Sequence, residues 1–294
     1  MPQLASNGIT VEYDTFGDRG GRPLLLVMGL GAQMILWDEE FCEQLASEGH
    51  YVVRFDNRDV GLSTKFDEAG APDMTTLVTQ LMAGQTPDVP YTLDDMADDA
   101  IGVLDGLSLE RAHIVGASMG GMIVQTMAIR HPTRVASLTS IMSTTGSQEV
   151  PPATPEAMAA LTSPVPTDLD GYIERTLAVG DVIGSPGFER DPERARARAR
   201  RTFERGVNPE GTARQMAAIV AHGDRTEALG ALTTPTLVIH GAADPLVQPE
   251  GGHATAAAIP GAELLMIDGM GHDLPIGSWP QIVGAISAHT AAVG

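Results

Sequence analysis

Ser118 stands in the run His113-Ile114-Val115-Gly116-Ala117-Ser118-Met119-Gly120-Gly121-Met122. An apolar stretch leads in and a helix-like stretch leads out. This is the form of G-x-S-x-G, a strand that turns sharply into a helix and holds a serine at the tip. Glycines at 116 and 120 remove β-carbons that would crowd so tight a turn. A serine hydroxyl becomes a useful nucleophile when a base takes its proton. His272, just after the apolar run Ala262–Ile267, titrates near neutrality, so it can accept that proton and return it to a leaving group. Asp244, just after the apolar run Pro235–His240, can fix the histidine tautomer and stabilise the imidazolium. Serine, histidine and acid are together the groups that nucleophilic attack by a hydroxyl needs.

Asp224, Asp268 and Asp273 are rival acids. Asp244 is preferred because it directly follows a buried strand and precedes His272 by a whole strand-helix-strand step. Asp224 is read as capping the helix after it. Among the other histidines, His113 is read as a core residue, His131 as a helix end and His240 as a structural hydrogen-bonder. His50, His222, His253 and His289 are read as surface residues. No two histidines have metal-ligand spacing on one helix, so neither a metal site nor a cofactor is expected. The anion formed when Ser118 attacks a carbonyl needs preorganised donors. The backbone N–H groups of Met119 and of Leu30, in the loop after Met28-Gly29, are the candidates. Gly29, Met34, Trp37 and Met142 are candidates for contacting substrate.

The elements that would position these residues alternate. Strands are predicted at 9–14, 23–28, 51–55, 111–117, 135–142, 235–240 and 262–267. The continuous apolar runs among them mark strands buried on both faces. Helices are predicted near 36–48, 74–83, 92–107, 119–131, 249–258 and 278–291, with Thr92 as an N-cap. Between about 146 and 224 the strands stop, and helices are predicted near 155–162, 168–183, 191–205 and 209–222. The arginine-rich run Arg190–Arg205 carries interleaved acids and is read as a solvated helix face. The result is an α/β fold: a mainly parallel sheet with helices on both faces, a core of residues 1–145 and 225–294, and a helical insertion at 146–224.

The bulk properties narrow the function classes. A net charge of −20 over 294 residues would repel nucleic-acid phosphates and an anionic membrane surface. No apolar run reaches the ~20 residues of a membrane helix, and the N-terminal residues carry no signal-peptide pattern. The single cysteine, Cys42, excludes an internal disulfide and fits a reducing compartment, so a cytoplasmic location is expected.

Together these residues resemble the α/β-hydrolase fold family across nearly the whole chain. Leu26-Val27-Met28-Gly29 with Trp37 downstream, Phe55-Asp56-Asn57-Arg58-Asp59-Val60-Gly61-Leu62-Ser63, Gly116–Gly121 and Gly269-Met270-Gly271-His272-Asp273-Leu274-Pro275 are similar to aclacinomycin methylesterase and related actinobacterial esterases. The resemblance implies an eight-stranded sheet, ester hydrolysis by Ser118, Asp244 and His272, and residues 146–224 as a cap. It implies a small to medium apolar ester as the small-molecule partner, such as a methyl or polyketide-type ester, for a monomer or homodimer. A lactonase, a cofactor-free perhydrolase or haloperoxidase, and a non-catalytic ligand-binding relative share the pattern. Two positions depart from the wider family: Met28 where histidine is common, and Asp59 where a glycine usually follows the arginine.

Overall fold

Period-two alternation along the central strands sends successive side chains to opposite faces. In the computed structural model, which describes residues 1–293, each face meets its own apolar layer. Leu25, Val27, Val53, Ile114 and Leu138 point into one layer, and Leu24, Leu26, Val52, Val115 and Ile141 into the other. The strands are β1 (Gln3–Ser6), β2 (Ile9–Phe16), β3 (Arg22–Val27), β4 (His50–Phe55), β5 (Ala112–Ala117), β6 (Val135–Ile141), β7 (Thr236–Gly241) and β8 (Glu263–Ile267). They form one sheet in the order β1-β2-β4-β3-β5-β6-β7-β8. The β1–β2 and β2–β4 pairs are antiparallel and the rest parallel. Strand β1, absent from the sequence reading, supplies the eighth strand.

The helices are α1 (Glu39–Ser47), α2 (Met74–Met82), α3 (Leu93–Gly106), α4 (Met119–Arg130), α5 (Pro155–Leu161), α6 (Leu169–Ile183), α7 (Pro192–Glu204), α8 (Pro209–His222), α9 (Thr226–Leu229), α10 (Pro249–Ala258) and α11 (Trp279–Val293). Helices α3 and α4 cover the first apolar layer, with Met96, Leu104, Ile123 and Met127 buried there. Helices α1 and α11 cover the second, through Phe41, Leu45, Trp279 and Ile282. Helix α3 starts with a capping box between Thr92 and Asp95, worth about 1 kcal/mol. Helices α5–α8 fill the interval between β6 and β7. Three of them begin with a cap residue and then proline, in Thr154-Pro155, Asp191-Pro192 and Asn208-Pro209. Proline fits the first helical position because its missing N–H has no partner to lose there.

Sheet order reverses beside β3, with β4 on one side and β5 on the other. Such a reversal opens a crevice at the carboxyl ends of the two strands. The loop after β3 and the serine after β5 meet there.

Two histidines read as surface residues are interior. His50 is buried, with Nδ1 2.8 Å from Leu45 O and Nε2 2.7 Å from Thr290 Oγ1 on α11. His289 is also buried. The Thr290 partner of His50 comes from distant chain, which local sequence does not reveal. His113 is the expected core residue, 2.8 Å from Ser137 Oγ, and burial pushes its pKa down to about 4. The unfolded chain therefore takes up a proton near pH 6.5 that the folded chain refuses until about pH 4. We expect the stability of the protein relative to His113→Gln to be constant above pH 7 and to fall by about 3 kcal/mol as pH drops toward 4. Urea denaturation of both proteins at pH 7 and pH 5 checks this; a gap independent of pH contradicts it.

Candidate active site

Strand β5 ends at Ala117 and α4 begins at Met119. Between them Ser118 has φ 58° and ψ −120°, a conformation that costs an L-residue energy. The surroundings hold it there. Ser118 N donates to Ile141 O at 2.9 Å, and Ser143 Oγ donates to Ser118 O at 2.8 Å. A β-carbon on Gly116 would overlap the Gly120 carbonyl, and one on Gly120 would overlap the Val27 carbonyl of β3. Both obstacles are backbone and cannot rotate away. We therefore expect Gly120→Ala to cost about 3 kcal/mol or more. Chemical denaturation reads the loss, and wild-type stability contradicts it.

Asp244 follows β7 and is buried. Its Oδ1 accepts the N–H groups of Leu246 and Val247, each at 2.9 Å. Its Oδ2 lies 2.7 Å from His272 Nδ1, in the loop after β8. His272 Nε2 lies 3.0 Å from Ser118 Oγ. With Nδ1–H donated to the carboxylate, the Nε2 lone pair faces the serine hydroxyl. The structure thus brings together the three residues singled out in the sequence, and leaves out the rival acids. Asp224 instead accepts Thr226 N at 2.9 Å just before α9, whose N-cap is Arg225. His240 on β7 is the expected structural histidine: its Nε2 is 2.8 Å from Val247 O, which steadies the turn that carries Asp244. No cluster of three or more His, Cys, Asp or Glu residues suited to a metal ion occurs among the described residues.

The loop carrying His272 has supports that the sequence does not announce. His272 N donates to Ile183 O at 2.7 Å, at the end of α6. The buried Ser185 hydroxyl accepts Gly271 N at 2.9 Å and donates to Asp273 Oδ1. The helical insertion therefore grips the histidine loop directly.

Leu30 lies in the turn after β3. Asn57 Nδ2 donates to Met28 O at 2.8 Å, and Ala32 N closes the turn on Gly29 O at 3.2 Å. The N–H groups of Leu30 and Met119 have no acceptor among the described residues. Gly29 leaves space beside the serine: a β-carbon there would stand 3.1 Å from Ser118 Cβ and 3.6 Å from its Oγ. Met142 directly follows β6, and its neighbour Ser143 bonds the elbow. Met34 and Trp37 are fully buried. The Trp37 ring stacks on Phe41 with centroids 5.8 Å apart, inside the α1–α11 layer, so it is packed as core and not as a cleft wall.

Asp59 explains its own departure from glycine. It adopts φ 68°, the left-handed conformation that glycine favours. Its carboxylate then accepts Arg214 Nε and Nη2 from α8 at 2.8 Å each, the Tyr91 hydroxyl at 2.7 Å and Phe66 N at 2.8 Å. Burial pushes this carboxyl up, but the Arg214, Phe66 and Tyr91 bonds outweigh it and hold the pKa below the usual range. The arginine run is solvated at Arg190, Arg196, Arg198 and Arg200, as read, but its other side makes contacts. Arg194 bonds Asp38 at 2.6 Å and Glu40 at 3.3 Å, and Arg201 bonds Glu39 at 2.7 Å. Arg205 pairs with buried Asp56. One side of α7 is thus a docking face, whose acidic partners lie over 140 residues earlier in the chain.

The chain has relatives of known name. The chain is 29% identical to the rhodomycin D methylesterase of Streptomyces peucetius, over 98% of this chain and 97% of the relative. It is 28% identical to the rhodomycin D methylesterase of Streptomyces sp. strain C5, with the same coverage. Its fold matches the enol-lactonase from Burkholderia xenovorans LB400 with a TM-score of 0.75 and 25% identity, covering 99% of this chain and 100% of that one. The sequence model of the α/β hydrolase fold matches residues 22–277. With the sheet order, the elbow and this match in agreement, the chain belongs to the α/β-hydrolase fold family.

Proposed function

We propose that the protein is a serine carboxylic ester hydrolase working through an acyl-enzyme on Ser118. The observation that carries this reading is the hydrogen-bond chain Ser118–His272–Asp244. Ser118 Oγ attacks the ester carbonyl while His272 Nε2 takes the hydroxyl proton. The carbonyl π pair moves onto oxygen, and the N–H groups of Leu30 and Met119 stabilise that anion. Collapse of the intermediate expels the alcohol, which receives the proton from His272. Water then repeats the sequence, releasing the acid and restoring Ser118. Asp244 keeps Nδ1 protonated and offsets the charge on the imidazolium.

The two methylesterase relatives support esterase-type hydrolysis. In this reading the substrate is a small to medium apolar ester, and a methyl or polyketide-type ester fits the kinship. Residues 146–224 act as a cap that covers the crevice. A panel of p-nitrophenyl esters, aryl methyl esters, lactones and peroxide-dependent oxidation tests it. Turnover led by open-chain esters is expected. The fold match to an enol-lactonase favours lactone opening as the second reading, and preference for lactones over every open-chain ester would select it.

A further inference from the structure

We infer that Gln215, on α8 of the insertion, is a positioning residue that aims the Leu30 N–H at the reacting oxygen. The inference rests on the ester-hydrolase reading above. Gln215 is fully buried, and its amide is committed on both sides. Its Oε1 accepts Gly31 N at 2.8 Å and its Nε2 donates to Arg58 O at 2.8 Å. It bridges two core loops from outside the core.

What it fixes is a peptide plane. Three consecutive peptides surround Leu30, and each has one anchor. The Met28–Gly29 peptide is held at Met28 O by Asn57. The Gly29–Leu30 peptide, whose N–H is the proposed donor, is held at Gly29 O by Ala32 N. The Leu30–Gly31 peptide is held at Gly31 N by Gln215. Gly31 has φ 62° and lies against Thr212 of α8, where a β-carbon would collide. A glycine in this conformation has alternatives on both sides of zero. The Gln215 bond selects one of them, and with it the direction of the adjoining N–H. The grip is shared along the insertion. Gln33 Nε2, two residues on, donates to Thr202 O at 2.9 Å and Gly206 O at 2.8 Å. Arg214, beside Gln215, is locked to Asp59.

A preorganised donor contributes chiefly when charge develops on the substrate oxygen, so its loss appears in turnover more than in substrate affinity. The test compares wild type, Gln215→Met, which keeps volume and removes both bonds, and Gln215→Glu, whose carboxyl retains an acceptor for Gly31 N. An alkyl trifluoromethyl ketone serves as the probe. Ser118 Oγ adds to its carbonyl carbon, the π pair becomes the oxyanion and the hydroxyl proton passes to His272. For Gln215→Met we expect kcat to fall about 10- to 100-fold with KM changed less than about threefold, and ketone affinity to fall with kcat/KM. Hydrogen exchange at the Gly31 amide is expected to quicken at least about tenfold. Gln215→Glu is expected to recover most of both losses. Wild-type ketone affinity in folded Gln215→Met, with only a lowered melting temperature, assigns Gln215 a merely structural role and overturns the inference. Failure of the underlying reading looks different, because then the wild-type protein itself neither turns over esters nor binds the ketone. Gly31 exchange still decides the anchor in that case, and exchange unchanged in Gln215→Met overturns it.

Discussion

Ser118→Ala is expected to lower ester turnover by about 10⁴-fold or more while leaving the protein folded. Both halves follow from the same geometry. The hydroxyl has one partner among the described residues, His272 Nε2 at 3.0 Å, so removing it deletes the proposed nucleophile and little else. The bonds that stabilise the turn use the Ser118 backbone: N–H to Ile141 O, and C=O from Ser143 Oγ. They survive in alanine, whose β-carbon occupies the place of the serine's. Circular dichroism and melting temperature should match wild type. Groups acting as one device are not additive, so adding His272→Ala should cost little more. Undiminished turnover by Ser118→Ala would reject the proposed mechanism.

Arg214→Met is expected to destabilise the protein by about 3–5 kcal/mol. The pair is fully buried and bidentate, and replacing the guanidinium removes the cation bonded to the Asp59 carboxylate. The Tyr91 and Phe66 bonds remain but carry no positive charge. The sign with pH is distinctive. In the wild type the carboxyl titrates below its ordinary value, so the contribution of the pair is complete at neutral pH and is lost only as acid approaches that depressed value. In the variant, burial acts without the opposing cation and raises the carboxyl pKa. Its folded state then binds a proton more readily than its unfolded state, and mild acid stabilises it. The gap between the two proteins should narrow from pH 7 to pH 5 in urea denaturation. A gap under about 1 kcal/mol at pH 7 would mean that the pair contributes little net stability.

Ser118, Asp244 and His272 were legible in the sequence because each lies in the loop after an apolar strand run, and a parallel sheet gathers such positions at one end. The insertion helices were legible because caps and prolines are local signals: Asp191 accepts Arg194 N and Asn208 accepts Gly211 N. Strand β1 was not, because Gln3-Leu4-Ala5-Ser6 has no strand character apart from its pairing with Ile9–Glu12. The same reason hid the interior place of His50, whose partner Thr290 is 240 residues away. It hid the docking role of Arg194 and Arg201, whose acids sit at the start of α1. Gln215 gave no signal, because an amide in the middle of a helix is ordinary until its two partners are known. Short-range chemistry writes itself into local sequence, whereas contacts between the insertion and the core arise only on folding.

Covalent labelling separates a Ser118 nucleophile activated by His272 from an inert serine. A fluorophosphonate requires an activated serine, a base and an anion site at once. One phosphonyl group per chain is expected, at Ser118 by peptide mass, and absent after unfolding or in His272→Ala. Folded wild-type protein that remains unlabelled, or a label on any other residue, would contradict the account.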